Sequence, residues 1–316
     1  MRTLITGAGG FVGAKLLERL AATLGPGDEI LAADLAYADT RVAHKDIEYL
    51  TGSLTDAGTI ARLTERPLDR VFHLATVAGV GSAADFAGGK RMNLDATLAL
   101  IEAIRESGAV PRFVYSSSVG VYGRPLPAAV DDSTSASPSN SYGTHKLIGE
   151  LLVNDYTRAG YLDGIALRFP GVVARPPGSA TMLSAFLNDI FYAARDKAPF
   201  ALPLAPEDAT WLMSIRLVVD NLEHAAGLAP SALPARRNWN LPASLIRMDA
   251  LVDALARAFG SEVRSLIRYR PDDRVRAMFS QVPMSAAGAE ALGFTGDGDA
   301  EALVANVIAD TPGLRA

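Results

Sequence analysis

Short apolar runs in this chain alternate with stretches whose apolar residues recur every third or fourth position. Thr3–Thr6, Glu29–Asp34, Ile47–Leu50, Arg70–Ala75, Arg112–Ser116 and Gly164–Phe169 are dominated by apolar residues, the pattern of strands buried on both faces. Between them, the segments starting at Gly10, Thr55, Lys90 and Ser141 carry helical patterning, as in Val12, Leu16, Leu17 and Leu20. Parallel strands need crossover connections, so this alternation predicts an α/β fold: a doubly wound, mainly parallel sheet of the Rossmann type. Pro125–Asn140, rich in Pro, Ala, Ser and Asp, has no period and reads as a long loop. Beyond Phe169, prolines 170, 176, 177, 199, 203 and 206 cut the chain into short pieces. The expected division is a sheet domain over 1–170, with parts of 205–240 returning to it, and a smaller, irregular C-terminal lobe over most of 171–316.

Composition narrows the classes of function. The chain has 316 residues, 49% hydrophobic and 21% charged, which is ordinary for a globular protein and unlike a disordered one. A net charge of −5 gives no electrostatic reason to expect nucleic acid or an anionic membrane as a partner. With no cysteine, disulfides and thiolate chemistry are excluded. His44, His73, His145 and His224 lack ligand spacing, so no metal is expected. The N-terminal apolar run is interrupted by glycines too soon for a signal peptide or a membrane span, and the expected location is cytoplasmic.

The first strand runs into Gly7-Ala8-Gly9-Gly10-Phe11-Val12-Gly13, a GxxGxxG turn that opens a helix. Glycines there permit a tight turn and close approach of backbone to a pyrophosphate, while the helix start around Phe11 and Val12 offers N–H groups to the anion. Alone, the turn could be mere punctuation between strand and helix. Asp34, at the end of the second strand, adds a carboxylate that can accept from ribose hydroxyls and would repel the 2′-phosphate of NADP. Strand, turn, helix and acid together predict an NAD site on Gly7, Gly10, Phe11, Val12, Gly13 and Asp34.

Tyr142-Gly143-Thr144-His145-Lys146 places a phenol and an ammonium four residues apart at the start of a helix. Such pairs occur on many ordinary helices. A tyrosine becomes a base near neutrality only when a positive charge favours its phenolate, at a cost of about 4 kcal/mol for roughly three pKa units. The strand ending Tyr115-Ser116-Ser117-Ser118 supplies hydroxyls where ligands bind in open α/β sheets. A serine there can donate to a reacting carbonyl or alkoxide oxygen while Tyr142 exchanges the proton.

The glycine turn, Asp34, His73-Leu74-Ala75, Asn93, the serine strand with Val121-Tyr122-Gly123, Tyr142/Lys146 and Leu167-Arg168 together resemble an extended short-chain dehydrogenase/reductase of the NAD-dependent epimerase/dehydratase type, over residues 1 to 176. The resemblance implies a Ser118–Tyr142–Lys146 catalytic set: Ser118 polarises the substrate, Tyr142 is the acid/base, and Lys146 holds the nicotinamide ribose and depresses the tyrosine pKa. It also implies cofactor contacts at Leu54, Ala75 and Asn93. Ser53 stands where many relatives carry an acid facing adenine. His73 and His145 are taken as bystanders. Relatives commonly pair two helices, here 90–107 and 141–159, into a homodimer.

For the substrate, nucleotide-sugar enzymes of this family carry an Asn shortly after the Leu-Arg pair, where this chain has Gly171, and an arginine-led segment where it has Trp211–Arg216. Lacking that diphosphate clamp, the chain is expected to take a smaller molecule. LRFPGVVARP, Trp211 with Ser214–Arg216, and Ala289–Phe294 resemble the D-erythronate dehydrogenases, which oxidise the 2-hydroxyl of a four-carbon sugar acid with NAD. The L-threonine dehydrogenases share a related Arg-aromatic-Pro-Gly segment and remain a rival, as does a nucleotide-sugar epimerase or dehydratase. A guanidinium can grip a carboxylate as a fork, so Arg216, and secondarily Arg175, are the expected partners of a hydroxy-acid substrate.

Overall fold

The structure, a computed structural model, describes residues 1–37, 41–78, 84–177 and 183–315. They form two compact units. The first takes residues 1–123, 136–168 and 221–239. Its centre is a seven-stranded sheet of β1 (Arg2–Thr6), β2 (Glu29–Asp34), β3 (Ile47–Thr51), β4 (Arg70–His73), β5 (Arg112–Ser118), β6 (Asp163–Phe169) and β10 (Asn238–Asn240). The strand order is β10-β6-β5-β4-β1-β2-β3. β1 pairs in parallel with both β2 and β4, and β2–β3 and β4–β5 are parallel too. The order reverses at β1, so a crevice opens beyond the carboxyl ends of β1 and β4, where ligands of such sheets bind. Thr6, Asp34, His73 and Ser118 are the last residues of their strands.

Helices α1 (Phe11–Ala21), α2 (Ala57–Thr64), α3 (Phe86–Lys90), α4 (Ala96–Ser107) and α5 (Ser141–Arg158) provide the crossovers. Leu100, Ile101 and Ile104 of α4 and Val153 of α5 bury against Val71, Phe113 and Tyr115 of the sheet. The apolar spacing therefore finds its partners, and their burial supplies most of the stability of the layer.

Several boundaries differ from the sequence reading, β4 for one ending at His73 and not at Ala75, and two of the differences have a clear local reason. β5 continues through Ser118, because Ser116 and Ser117 turn their hydroxyls to the His73 carbonyl and to Glu150 and stay in register. The helix expected from Lys90 begins at Phe86 and reaches α4 through a π-turn over Arg91–Asp95, which aims Asn93 inward. Single π-turns of this kind often mark functional positions.

The second unit comprises residues 124–135, 169–220 and 240–316. It holds a three-stranded sheet, β11 (Ser244–Arg247), β9 (Ala209–Ser214) and β7 (Gly171–Val173), and a parallel pair, β8 (Phe200–Leu202) with β12 (Ile267–Tyr269). Its core gathers Phe186, Ile190, Phe191, Leu251, Leu255 and Leu303. Among the described residues, no helix is long and apolar enough to cross a membrane.

Candidate active site and dinucleotide cradle

The turn after β1 is anchored where the Gly7 and Ala8 amides donate to the Ala33 carbonyl at 2.9 and 3.2 Å. Gly7 has φ +74°, and a Cβ there would lie 2.8 Å from the Ala75 nitrogen. At Gly13 a Cβ would fall 2.0 Å from the Gly7 carbonyl oxygen, so α1 can start this close to the turn only with glycine. Gly10 caps α1 without a side chain of its own. Gly9, an unassigned position of the GxxGxxG spacing, proves as constrained: a Cβ would sit 2.3 Å from the Ala36 oxygen. Its amide donates to Asp34 Oδ2 at 2.8 Å, while Oδ1 accepts from the Leu35 amide at 2.6 Å. Each carboxylate oxygen accepts two bonds, leaving capacity for ribose hydroxyls. A glycine-only turn, a helix start and a carboxylate beside them fit a dinucleotide.

The other expected cofactor positions line the neighbouring strand ends. Asn93 is buried; its Oδ1 accepts from Thr76 Oγ1 at 2.9 Å and the Val77 amide at 2.7 Å, and its Nδ2 donates to the Val77 carbonyl at 2.9 Å. Its amide group thus fixes the loop after β4. Ala75 lies beside Gly7. Ser53 binds the Thr55 hydroxyl at 2.8 Å, and Leu54 is buried beneath the turn after β3.

Ser118, Tyr142 and Lys146 all belong to the first unit. α5 packs on β5 through glycines: a Cβ at Gly143 would lie 2.1 Å from the Gly120 carbonyl oxygen, and one at Gly149 would lie 2.3 Å from Tyr115 Oη. This close approach brings the helix start to the serine strand. Around Gly120, a Cβ would meet Ser118 Oγ at 3.2 Å and the Tyr142 ring at 3.7 Å, so hydroxyl and ring flank one small gap. The Gly120 amide donates to Ser118 Oγ at 3.0 Å, which leaves the serine its own proton to give.

Lys146 is 2% exposed. Its Nζ donates to the Ser116 carbonyl at 2.6 Å and sits 4.9 Å from the Tyr115 ring centroid and 5.8 Å from that of Tyr142. Burial pushes the ammonium down to about 7, opposed by the charge of Glu150. Behind it, His73 Nδ1 meets Thr6 Oγ1 at 2.8 Å and Nε2 meets Thr97 Oγ1 at 2.9 Å. Burial and the Lys146 charge push this imidazole down to about 3, so it is neutral. His145 is also buried, its ring 6.4 Å from Phe86.

Sequence reasoning missed a buried charge cluster next to this set. Glu150, one turn beyond Lys146, accepts from Arg168 Nε at 2.8 Å and Nη2 at 2.7 Å, from Asn238 Nδ2 at 3.1 Å and from Ser117 Oγ. Arg168 Nη1 donates to Tyr122 Oη at 2.8 Å. The signal available was a glutamate on the core-facing stripe of α5, in line with Gly143, Lys146 and Val153.

The family follows from residues 3–201, which match the NAD-dependent epimerase/dehydratase family. The chain belongs to that family. Its cofactor is NAD, and it is an NAD-dependent oxidoreductase. The chain is 36% identical over 308 residues to D-erythronate dehydrogenase of Cupriavidus necator, covering 94% of each. With D-erythronate dehydrogenase of Haemophilus influenzae it shares 29% identity over 98% of this chain and 99% of that one. The crystal structure of a nucleoside-diphosphate-sugar epimerase from Agrobacterium tumefaciens superposes with a TM-score of 0.93 at 31% identity, over 99% of this chain and 95% of that one.

Within this family member, Asp34→Ala removes a carboxylate able to accept from ribose hydroxyls, together with its bond from the Gly9 amide. The expected result is a rise of about tenfold in the KM for NAD with loss of NAD-over-NADP preference. Cofactor discrimination unchanged from the parent chain would rule Asp34 out as the selector.

In the second unit, Arg216 is exposed in the first turn of α6 (Ile215–Gly227). Ser214 Oγ accepts from the Leu217 amide at 3.3 Å, and the Ser214 amide donates to buried Asp297 at 2.8 Å, fixing the backbone from which Arg216 projects. No hydrogen bond or ion pair of the Arg216 guanidinium is found among the described residues. Arg175 follows β7, its amide donating to Asn188 Oδ1 at 2.8 Å.

Proposed function

We propose that this chain oxidises the 2-hydroxyl of a small sugar acid such as D-erythronate to the keto acid. The observation that carries this reading is the likeness to D-erythronate dehydrogenases along nearly the whole chain, second unit included. Gly171 supports it. A Cβ there would lie 3.0 Å from the Trp211 carbonyl oxygen and 3.1 Å from Leu212 Cδ2. The asparagine that nucleotide-sugar enzymes carry after the Leu-Arg pair would fit there only if the Trp211 carbonyl and the Leu212 side chain gave way by a few tenths of an ångström.

In this reading, Ser118 donates its hydroxyl proton to the substrate oxygen and holds the alcohol against Tyr142. The Tyr142 phenolate takes the alcohol proton. The Lys146 ammonium, fixed to the Ser116 carbonyl, favours the phenolate by its charge and is placed to hold the cofactor ribose. The glycine turn and Asp34 would hold NAD, which would supply the hydride acceptor that oxidation of the alcohol to the ketone requires. Asn93 and Ala75 shape the cofactor side of the gap, and Arg216, seconded by Arg175, binds the carboxylate.

A screen for NADH formation over four- to six-carbon hydroxy acids, L-threonine and nucleotide sugars tests this. Net NADH with a sugar acid supports it. The likeness to a nucleoside-diphosphate-sugar epimerase favours the alternative, in which hydride returns to the sugar. Interconversion of UDP- or TDP-sugars with no NADH from any acid would establish that alternative. Arg216→Lys keeps the charge but loses the fork, so the KM for the acid should rise about tenfold with little change in kcat; an unchanged KM removes Arg216 from the carboxylate site.

A further inference from the structure

Three consecutive serines close β5, and each has a different partner. Ser116 receives the Lys146 ammonium on its carbonyl, Ser117 donates to Glu150, and Ser118 faces the gap beside Tyr142. Tyr142, Lys146 and Glu150 are spaced four residues apart and so lie along one stripe of α5. Glu150 is 1% exposed, and four donors with no acceptor converge on its two oxygens, an arrangement that a carboxylate fills. An ion pair this deep is weak evidence for stability, because desolvation offsets most of the attraction. Its place beside Lys146 calls for another account.

We propose that Glu150 is a positioning residue for Lys146, a buried anion fixed one helical turn away that keeps the lysine an ammonium inside the protein. Arg168, Ser117 and Asn238 hold the carboxylate in place. This deepens the reading of Tyr142 as a base and rests on it, since only a charged lysine favours the phenolate. Burial drives Lys146 toward the neutral amine, and Glu150 is the acid among the described residues whose charge opposes it.

Of the other groups around Lys146, Arg168 is a cation paired to Glu150 and Tyr142 is an anion only as the phenolate that Lys146 itself favours, so neither supplies a standing negative charge. From β4, His73 is neutral. From β5, the Tyr115 hydroxyl is pushed well above its usual range by burial and is an uncharged phenol. On the π-turn packed against α5, Arg91 is exposed and Asp95 pairs with Lys90 at 2.7 Å. On α4, Glu102 is held by Arg105 at 2.7 Å and by Tyr156, and Glu106 lies 3.4 Å from Arg105.

Lys15, Lys45, Lys90, Lys146 and Lys197 are all the lysines of the chain, so the full-length protein labelled at lysine ¹³Cε gives a short spectrum. Lys146 is assigned by the signal missing in Lys146→Arg. Its titration, followed without substrate, is expected near 7 in the parent protein and lower by about one pH unit or more in Glu150→Gln. The Glu150→Gln/Arg168→Met protein, which leaves Arg168 no stranded charge, should show a smaller downward displacement, because a cation close to the carboxylate is lost with it. The alkaline limb of its kcat profile should move with it. A Lys146 midpoint unmoved in folded Glu150→Gln, or raised in the folded double variant, overturns the proposal. Because the titration needs no substrate, a failed sugar-acid screen and a failed Glu150 assignment are separate results.

Discussion

Tyr142→Phe should lower turnover by about a thousandfold while leaving NADH binding measurable, since a positioned acid/base contributes roughly 10² to 10⁴ in rate. The substitution deletes one hydroxyl and keeps the ring that flanks Gly120. Lys146 keeps its bond to the Ser116 carbonyl, and the glycine contacts between α5 and β5 are untouched. The glycine turn and Asp34, the expected holders of the other end of the cofactor, lie between β1 and α1 and at the end of β2. Steady-state kcat and NADH fluorescence titration separate the two effects. A kcat within tenfold of the parent would sink Tyr142 as the base; NADH binding lost together with turnover would point to a damaged fold.

Arg168→Met should destabilise the protein by about 3–5 kcal/mol, the usual cost of stranding one member of a buried ion pair. Glu150 would keep Ser117 and Asn238 as donors but lose both guanidinium bonds, and the bond from Arg168 Nη1 to Tyr122 Oη would go too. Urea unfolding measures this directly. Adding Glu150→Gln to Arg168→Met should recover most of the loss, because replacing both charges removes the unpaired carboxylate. A double variant no more stable than Arg168→Met alone would mean that Arg168 stabilises through packing on Tyr122, over whose ring its guanidinium lies at 5.1 Å, and not through Glu150.

Much of the site was legible because its parts are close in sequence. A glycine turn between a strand and an amphipathic helix is a local object, and so is Tyr142 four residues before Lys146. Asp34 needed one further step, that β2 lies beside β1, which the βαβ pattern supplies. Gly9 escaped because spacing marks Gly7, Gly10 and Gly13 without saying which backbone atoms crowd the positions between; the Ala36 oxygen and the Asp34 carboxylate supply that answer. The chemistry of Arg168 escaped for a similar reason. It lies 18 residues from Glu150, and the two meet only because β6 is next to β5 and α5 covers both.

The sequence by itself determined the α/β class, the parallel sheet and the nature of the cofactor, because periodicity and short motifs record which faces are buried and which turns need glycine. Tertiary structure decided which buried groups share an environment. It set α5 on β5 at a distance only Gly143 and Gly149 permit, enclosed Lys146 away from water, and brought Arg168, Asn238 and Ser117 onto one carboxylate. Desolvation and Coulomb interactions depend on distances through space between residues remote in the chain, so the charge state of Lys146 is a property of the packed sheet and helix.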